Sequence, residues 1–266
     1  MEHDGVRSQN KTLIAIDGNS LLHRAYYALP GMTARDGTPT GALHGFFSML
    51  LLLTQRQPDY LLVAFDVHGK TFRHLKYEDY KAGRRETPDD LRKQFPLLKE
   101  LLTDMGIAVI ECPGFEADDI LGTMAIRCGR KGIDALLVTG DRDALQLVSE
   151  STHVLMTKKG ITETVEYTPE KLMETYGLTP DRMRDLKGLM GDTSDHIPGI
   201  PGVGEKTALR LLGEYGTLNA VLEHGGQIKG KLGERIRENA DSAELSFWLG
   251  TIETNAPVER QPEDCG

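Results

Sequence analysis

The sequence predicts an α/β fold: a mostly parallel central sheet flanked by helices, with a helical C-terminal part. Two observations predict it. Short apolar runs, typical of buried parallel strands, alternate with longer helical patterns as far as Thr139. From Thr168 onward the strand pattern ends, and two Thr-Pro steps mark helix starts, since proline is tolerated in the first turn.

The predicted elements follow one another in βαβ order, which is typical of a parallel sheet. Strands are predicted at Thr12–Ile16, Tyr60–Phe65, Ile107–Ile110 and Ala135–Thr139. Helices are predicted between them at Ala42–Arg56, Pro88–Met105 and Glu116–Lys131. A hairpin follows, in which residues 153–157 and 161–167 are joined around Lys158, Lys159 and Gly160. The remainder is predicted to be helical.

Composition limits the class of protein. The 266 residues can bury a full core with a smaller appended domain. The 3 cysteines form no CxxC pair, so a disulfide framework or zinc knuckle is not expected. No signal-peptide core precedes the first strand, and the most apolar stretch, FFSMLLLL, is too short to span a bilayer. We therefore expect a cytoplasmic protein with no membrane contact.

Carboxylates are concentrated where apolar runs end. Because parallel strands deliver their carboxyl ends to one edge of a sheet, these side chains are expected to meet there. Their mutual repulsion would be offset by hard divalent cations, and oxygen-only ligands suit Mg²⁺ or Mn²⁺. Their number equals the whole net charge of −9, so the remaining surface is balanced. The candidate metal ligands are Asp17, Asp66, Glu116, Asp118, Asp119, Asp141, Asp143, Asp192 and Asp195.

A structural alternative exists for several of these acids. An aspartate that follows a strand usually caps the next helix, and this applies to Asp17 or Asp66 taken alone. Glu116, Asp118 and Asp119 stand at a predicted helix start, where acids favour the helix dipole. The repetition of the pattern after several strands nevertheless favours a metal cluster.

The segment HIPGIPGVGEKTALRLL forms a second motif. It is not a Walker A loop, because Glu205 separates the second glycine from Lys206, and no strand precedes it as a dinucleotide fingerprint requires. The remaining interpretation is a helix-hairpin-helix with a tight turn at Gly202, Val203 and Gly204. Its backbone N–H groups and the next helix start, with Lys206 and Thr207, would bind DNA phosphates regardless of sequence. A plain Gly-Pro turn is the alternative.

The stretch Lys70–Arg85 holds six basic residues against two acidic ones. Aromatic residues are interleaved with the basic ones. Basic side chains bind phosphates and aromatic rings stack on bases, so this stretch suits a frayed or single strand. We expect Arg73 and Arg85 to contact DNA here. A solvated basic loop is the alternative, but its place directly after Asp66 favours function.

These motifs together resemble the 5′ nuclease (flap endonuclease) family, and within it the N-terminal 5′→3′ exonuclease domains of bacterial polymerases. The resemblance covers roughly residues 11–256. It implies that the nine acids bind metal, that Lys81 and Arg84 are catalytic arch residues, and that Tyr80 stacks on a base. It also implies a potassium ion at the helix-hairpin-helix. The matching blocks are IDGNSLLHRAYYAL, VAFDVHGKTFRHLKYEDYKAGR, GFEADDILGT, VTGDRDALQLV and GDTSDHIPGIPGVGEKTA.

The resemblance further implies an organisation and a reaction. Residues 11–175 would form a PIN-like nuclease core with a basic arch at about 67–95, and residues 176–266 a helix-hairpin-helix subdomain that is incomplete at its end. The reaction would be metal-assisted phosphodiester hydrolysis at DNA 5′ ends or flaps, RNA-primed ends included. A monomer is expected, with a polymerase domain downstream in the parent protein.

Two further hypotheses belong to other classes. A non-catalytic DNA-structure binder would keep the hairpin and arch but lose acids, and the full set of carboxylates counts against it. A haloacid-dehalogenase-like phosphatase needs DxD after its first strand, where this chain has Asp17, Gly18 and Asn19.

Within the implied nuclease we expect two unequal metal clusters. Asp17, Asp66, Glu116 and Asp118 would surround one cation, with Asp119 near both sites. Asp141 and Asp143 would lie between the clusters, and Asp192 and Asp195 would bring the second cation from the loop that enters the helical part.

Overall fold

A computed structural model describes residues 10–158 and 163–266. The predicted α/β class is confirmed, because a six-stranded sheet of order β3-β2-β1-β4-β5-β6 lies at the centre of the described residues. All neighbouring strands are parallel except the pair β5 and β6. The strands are β1 (Thr12–Asp17), β2 (Tyr60–Phe65), β3 (Ala108–Glu111), β4 (Asp134–Thr139), β5 (Thr152–Thr157) and β6 (Thr164–Tyr167).

Helices connect the strands and then continue alone. In the core they are α1 (Gly18–Ala28), α2 (Gly41–Thr54), α3 (Phe72–Lys76), α4 (Asp89–Arg92), α5 (Gln94–Asp104), α6 (Ala117–Lys131) and α7 (Pro169–Tyr176). The C-terminal residues 178–266, all described, hold helices and no strand. These helices are α8 (Met183–Met190), α9 (Glu205–Tyr215), α10 (Leu218–Glu223), α11 (Gly230–Glu238) and α12 (Ala240–Leu249).

One predicted helix needs correction, and part of the predicted hairpin lies outside the described residues. The predicted helix Pro88–Met105 is divided at Lys93 into α4 and α5. Pro96 has no N–H to donate to the carbonyl of Arg92, so one continuous helix would lack that hydrogen bond. The antiparallel pairing of the predicted hairpin is confirmed, but residues 159–162, which include the first two residues of its predicted second strand, lie outside the described residues.

Helices cover both faces of the sheet. The side chains of α1, α2 and α5 pack with Ile14, Val63 and Val138 on one face. On the other face α6 packs against Leu13, and the same buried cluster continues into α8, α9 and α12. The core and the helical part therefore share one apolar interior, which fixes the helical part beside the carboxyl edge of the sheet.

Three further features complete the description of the fold. The helix α1, which the sequence pattern did not predict, begins directly after Asp17. All three cysteines are buried and free. No helix among residues 10–158 and 163–266 is both long enough and apolar enough to cross a bilayer.

Candidate metal centre and nucleic-acid interface

The carboxyl edge of the sheet brings predicted acids together at the point where the strand order reverses. β1 lies between β2 and β4, so Asp17 ends the central strand while Asp66 and Asp141 follow its neighbours. Asp17 is buried, accepting hydrogen bonds from the Ser20 N–H at 2.9 Å and the Thr139 hydroxyl at 2.8 Å. Asp17 therefore caps α1, as expected if its role is structural. It also lies where the strand order reverses, which is where ligands bind in sheets of this kind.

The start of α6 supplies the next acids. Glu116 caps this helix, and the N–H of Ala117 donates to Asp66 Oδ1 at 2.7 Å, which ties the end of β2 to the helix. Lys81 Nζ donates to Glu116 Oε1 at 2.6 Å. Burial raises the pKa of Asp66, and the nearby Glu116 carboxylate raises it further, although the N–H of Ala117 acts in the opposite direction.

A crevice of about 20 Å³ opens beside the start of α6, and neither Asp17 nor Asp66 lines it. Asp118 Oδ1 faces no hydrogen-bond partner although it is buried. Burial raises the pKa of Asp118 well above its usual range, and the charges of Asp141, Asp17 and Asp143 add to this effect. The crevice is lined by Arg73, Tyr80, Lys81, Glu116, Asp118, Asp141, Asp143, Asp195, Leu249, Gly250 and Ile252.

This donor set fits a small, hard cation. An unpartnered buried oxygen, carboxyl groups that are costly to ionise, and a space the size of one water molecule or ion are the conditions that a cation would relieve. Burial, with the charge of Asp141, likewise raises the pKa of Asp143 to about 7. Burial raises the pKa of Asp17 as well, with the Asp66 charge contributing.

The ligand shell is not preformed. Among residues 10–158 and 163–266, no three acidic, histidine or cysteine side chains are already arranged to hold a metal ion. Several candidate ligands are paired with cationic side chains instead. Lys81 holds Glu116, Lys187 holds Asp143 and Asp192, and Arg84 holds Asp195. The predicted clusters thus remain a prediction, and cation binding would rearrange these pairs.

Lys187 of α8 is the principal site residue that the sequence analysis missed. Its Nζ lies 2.7 Å from Asp143 Oδ1 and 2.6 Å from Asp192 Oδ2, so one ammonium joins the core to the loop that enters the helical part. Burial alone would raise the pKa of Asp192, but Lys187 and Ser194 lower it to about 2. The only signal in the sequence was a lysine five residues before Asp192, which is too common a spacing to select it.

The arch is held against the same loop. The N–H of Lys81 donates to the Asp195 carbonyl at 2.9 Å, and Arg84 Nη2 donates to Asp195 Oδ1 at 2.6 Å. Lys81 has a positive φ of 59°, which non-glycine residues seldom adopt. Its ammonium is thereby directed at the carboxylate crevice, whereas Arg84 remains half exposed.

Arg73 and Asp119 require correction. Arg73 is buried and donates to both carboxylate oxygens of Asp119 at 2.8 Å. Asp119 also accepts from the N–H groups of Glu116 and Glu253. Asp119 is completely buried, and its oxygens are fully used, so it has none to offer a cation. Arg73 is likewise enclosed and holds α6 in place, instead of contacting DNA.

Tyr80 also lies elsewhere than predicted. Its ring is buried with Ile197 and Leu249, and its hydroxyl donates to Glu116 Oε2 at 3.0 Å. A ring in this position has no free face for a base, so Tyr80 braces the arch. Arg85 remains exposed, as a DNA contact requires.

The helix-hairpin-helix is formed by α8, α9 and the turn between them. Gly202 has a positive φ of 78°, and Gly204 caps α9. Both glycines and Lys206 are exposed, while Thr207 is half buried. Val203 differs from the prediction, because its side chain is buried and its N–H donates to the Ile200 carbonyl. The turn therefore presents its glycine backbone, and not that of Val203, to a phosphate.

A groove of about 890 Å³ joins this turn to the carboxylates. Its lining includes Asp141, Asp143 and Asp192 together with Gly202 and Gly204. Arg142 and Glu205, 2.8 Å apart, bridge the core and the start of α9 along its wall. One continuous surface thus carries both the acids and the exposed backbone of the glycine turn.

Two family models match the chain. Residues 12–177 match the 5'-3' exonuclease N-terminal resolvase-like domain, and residues 178–266 match the 5'-3' exonuclease C-terminal SAM fold. Among curated relatives, DNA polymerase I of Geobacillus stearothermophilus is 50% identical over 95% of this chain. DNA polymerase I of Bacillus subtilis is 44% identical over 95% of it. The chain spans 29% of the length of each of these relatives.

Solved structures share the fold. A T5 5'-exonuclease with bound zinc has a TM-score of 0.75 at 21% identity, covering 92% of this chain and 90% of that one. The catalytic core of Rad2 in complex with DNA substrate has a TM-score of 0.58 at 18% identity, covering 96% and 84%.

Proposed function

The chain belongs to the 5'-3' exonuclease family, and from that premise we propose that it is a structure-specific 5′→3′ exonuclease and 5′-flap endonuclease. It hydrolyses DNA phosphodiester bonds with divalent metal ions in replication and repair. One observation carries this proposal: the buried, unpartnered Asp118 oxygen stands among acids that share a groove with the glycine turn. A DNA strand with one phosphate held by the turn could thereby extend along the groove toward the carboxylates.

The metal ions are Mg²⁺ or Mn²⁺, two or more. Asp17, Asp66, Glu116 and Asp118 would hold the first, Asp192 and Asp195 would hold the second, and Asp141 and Asp143 would lie between the two. When bound, such ions activate a water molecule and offset the charge of the scissile phosphate. The ion pairs of Lys81, Arg84 and Lys187 with Glu116, Asp195 and Asp143 support this assignment, because each shows that a positive charge can be accommodated beside that carboxyl group.

Lys81 and Arg84 are the proposed catalytic cations. Lys81 stands at the crevice, where an ammonium can donate to a phosphate oxygen as negative charge develops in the transition state. Arg84 lies half exposed beside it and can turn from Asp195 to the substrate. No side-chain base is needed for this reaction.

DNA docking is assigned to the glycine turn that lines the groove. The exposed backbone of Gly202 and Gly204, with Lys206 and Thr207, would hold duplex phosphates without reading bases, and a potassium ion would bind at this turn. Arg85 would contact the strand near the arch. The substrate is DNA with 5′ ends or flaps, RNA-primed ends included, and a polymerase domain would follow in the parent protein.

The deciding experiment is incubation with a 5′-labelled flap duplex in Mg²⁺ or in EDTA. We expect short labelled products in Mg²⁺ only, and none from Asp118→Asn. Binding of the same duplex in Ca²⁺ serves as the control for folding. Binding without cleavage at any Mg²⁺ or Mn²⁺ concentration would identify a DNA-structure binder and refute the nuclease.

A further inference from the structure

An exposed aromatic surface lies beside the arch, outside the groove. Trp248 is 39% exposed and Leu75 is 80% exposed. The rings of Phe72 and Trp248 pack edge to face with their centres 5.6 Å apart, and Lys76 Nζ lies 5.9 Å from the centre of the Trp248 ring. We call the surface of Phe72, Leu75, Lys76 and Trp248 the aromatic patch. It leaves apolar rings facing water, although their burial would be favourable.

The aromatic patch is joined to the carboxylate crevice by buried contacts. The Arg73 guanidinium lies 4.5 Å from the centre of the Phe72 ring while it donates to Asp119 and to the Leu249 carbonyl. Leu249, which follows Trp248, lines the crevice itself. Through Arg73 and Leu249 the patch therefore lies directly beside the crevice.

The chemistry of the patch suits unpaired nucleotides. Aromatic faces stack on bases of any sequence, and lysines beside them bind the phosphates between the bases. Lys76 is exposed there, Lys70 is exposed in the loop that precedes α3, and the exposed Glu244 lies one helical turn before Trp248. Duplex DNA hides its base faces within the stack, so only a single strand can use both the rings and the lysines.

We propose that the aromatic patch binds the single-stranded 5′ arm of the DNA substrate, with a base stacked on Trp248. This inference rests on the proposed nuclease function, since it names where the displaced strand goes. It assigns to Trp248 and Lys76 a role in selecting flapped substrates over flush 5′ ends.

Trp248 reports on its own site, because the chain contains only 1 tryptophan. The full chain in EDTA is titrated with a duplex that carries a single-stranded 5′ oligothymidine arm, and with the same duplex without the arm. We expect the arm to quench the fluorescence and the flush duplex to leave it unchanged. Glu244→Gln should strengthen the quenching at low salt, and Lys76→Ala should weaken it.

Cleavage of both duplexes in Mg²⁺ separates this inference from the proposed function. Trp248→Ala should lower kcat/KM about 10-fold on the armed duplex, the loss of one stacked base, and leave the flush duplex unaffected. Trp248→Phe should restore most of it. Met105→Ala, which removes a more exposed apolar side chain (57%) three residues before β3, is the control and should change neither rate.

The outcomes are distinct. An armed duplex that is cleaved normally by the wild type but leaves the fluorescence unchanged would refute the patch and point to a protein contact. Equal losses on the armed and flush duplexes would also refute it. Absence of cleavage in the wild type would count against the nuclease function itself, whereas quenching by the arm would still support the patch.

Discussion

Replacement of Lys187 by methionine should destabilise the metal-free protein and increase its response to metal. The side chain is 12% exposed and its ammonium contacts two carboxylates within 2.7 Å. Methionine keeps most of the apolar length but removes the charge, leaving Asp143 and Asp192 uncompensated.

The magnitude follows from burial. Loss of one partner of a fully buried ion pair costs about 3–5 kcal/mol, while an exposed pair is worth less than about 1 kcal/mol. Asp143 and Asp192 are 19% and 27% exposed, so we expect an intermediate loss of about 2 kcal/mol in the free energy of unfolding. Asp143 can also take up a proton near neutral pH, which limits the loss.

The assay is urea unfolding in EDTA and again in Mn²⁺. A cation that binds only the folded state stabilises it by mass action, and two released carboxylates should bind it more tightly. The difference between variant and wild type should therefore shrink in Mn²⁺. Lys171→Met is the matched control, because Lys171 pairs only with the exposed Glu174. An equal loss with and without Mn²⁺, or no loss in EDTA, would refute the reasoning.

Three further predictions concern catalysis, docking and pH. Lys81→Ala should slow single-turnover cleavage by on the order of 10², the scale of one lost electrostatic stabiliser. Arg85→Ala should weaken only the affinity for DNA. If Lys81→Ala also weakened only the affinity, Lys81 would be a simple phosphate contact. Gly204→Ala adds a methyl where no atom lies within 4 Å, so duplex binding should weaken for every DNA sequence alike with little change in stability; loss confined to certain sequences would contradict the backbone site. The pKa of Asp143 is raised from 3.8 to about 7, so its contribution to stability is present below about pH 4 and is lost as pH rises through 7. Urea unfolding in EDTA should show that the wild type loses stability from pH 4 to 7 more steeply than Asp143→Asn does. Equal dependence of the unfolding free energy on pH in the two proteins would contradict the raised pKa of Asp143.

The sequence by itself determined the sheet and the place of the site. Apolar runs that end in aspartate must be strands whose ends share an edge, so the pattern alone places Asp17, Asp66 and Asp141 together. The glycine turn before α9 was also predictable from the sequence. Its spacing excludes a Walker A loop, and the absence of a preceding strand excludes a dinucleotide-binding fingerprint. These are local patterns with fixed periods.

Only the tertiary structure decided which side chains are free to act. Asp119 and Arg73 looked like a ligand and a DNA contact, but they come together across forty-six positions and satisfy each other. Tyr80 is buried because Ile197 and Leu249 pack on it from the helical part. Lys187 reaches Asp143 from another helix. A residue's type and neighbours in sequence give its chemistry, whereas its partner in space, which long-range packing sets, decides whether that chemistry is already used.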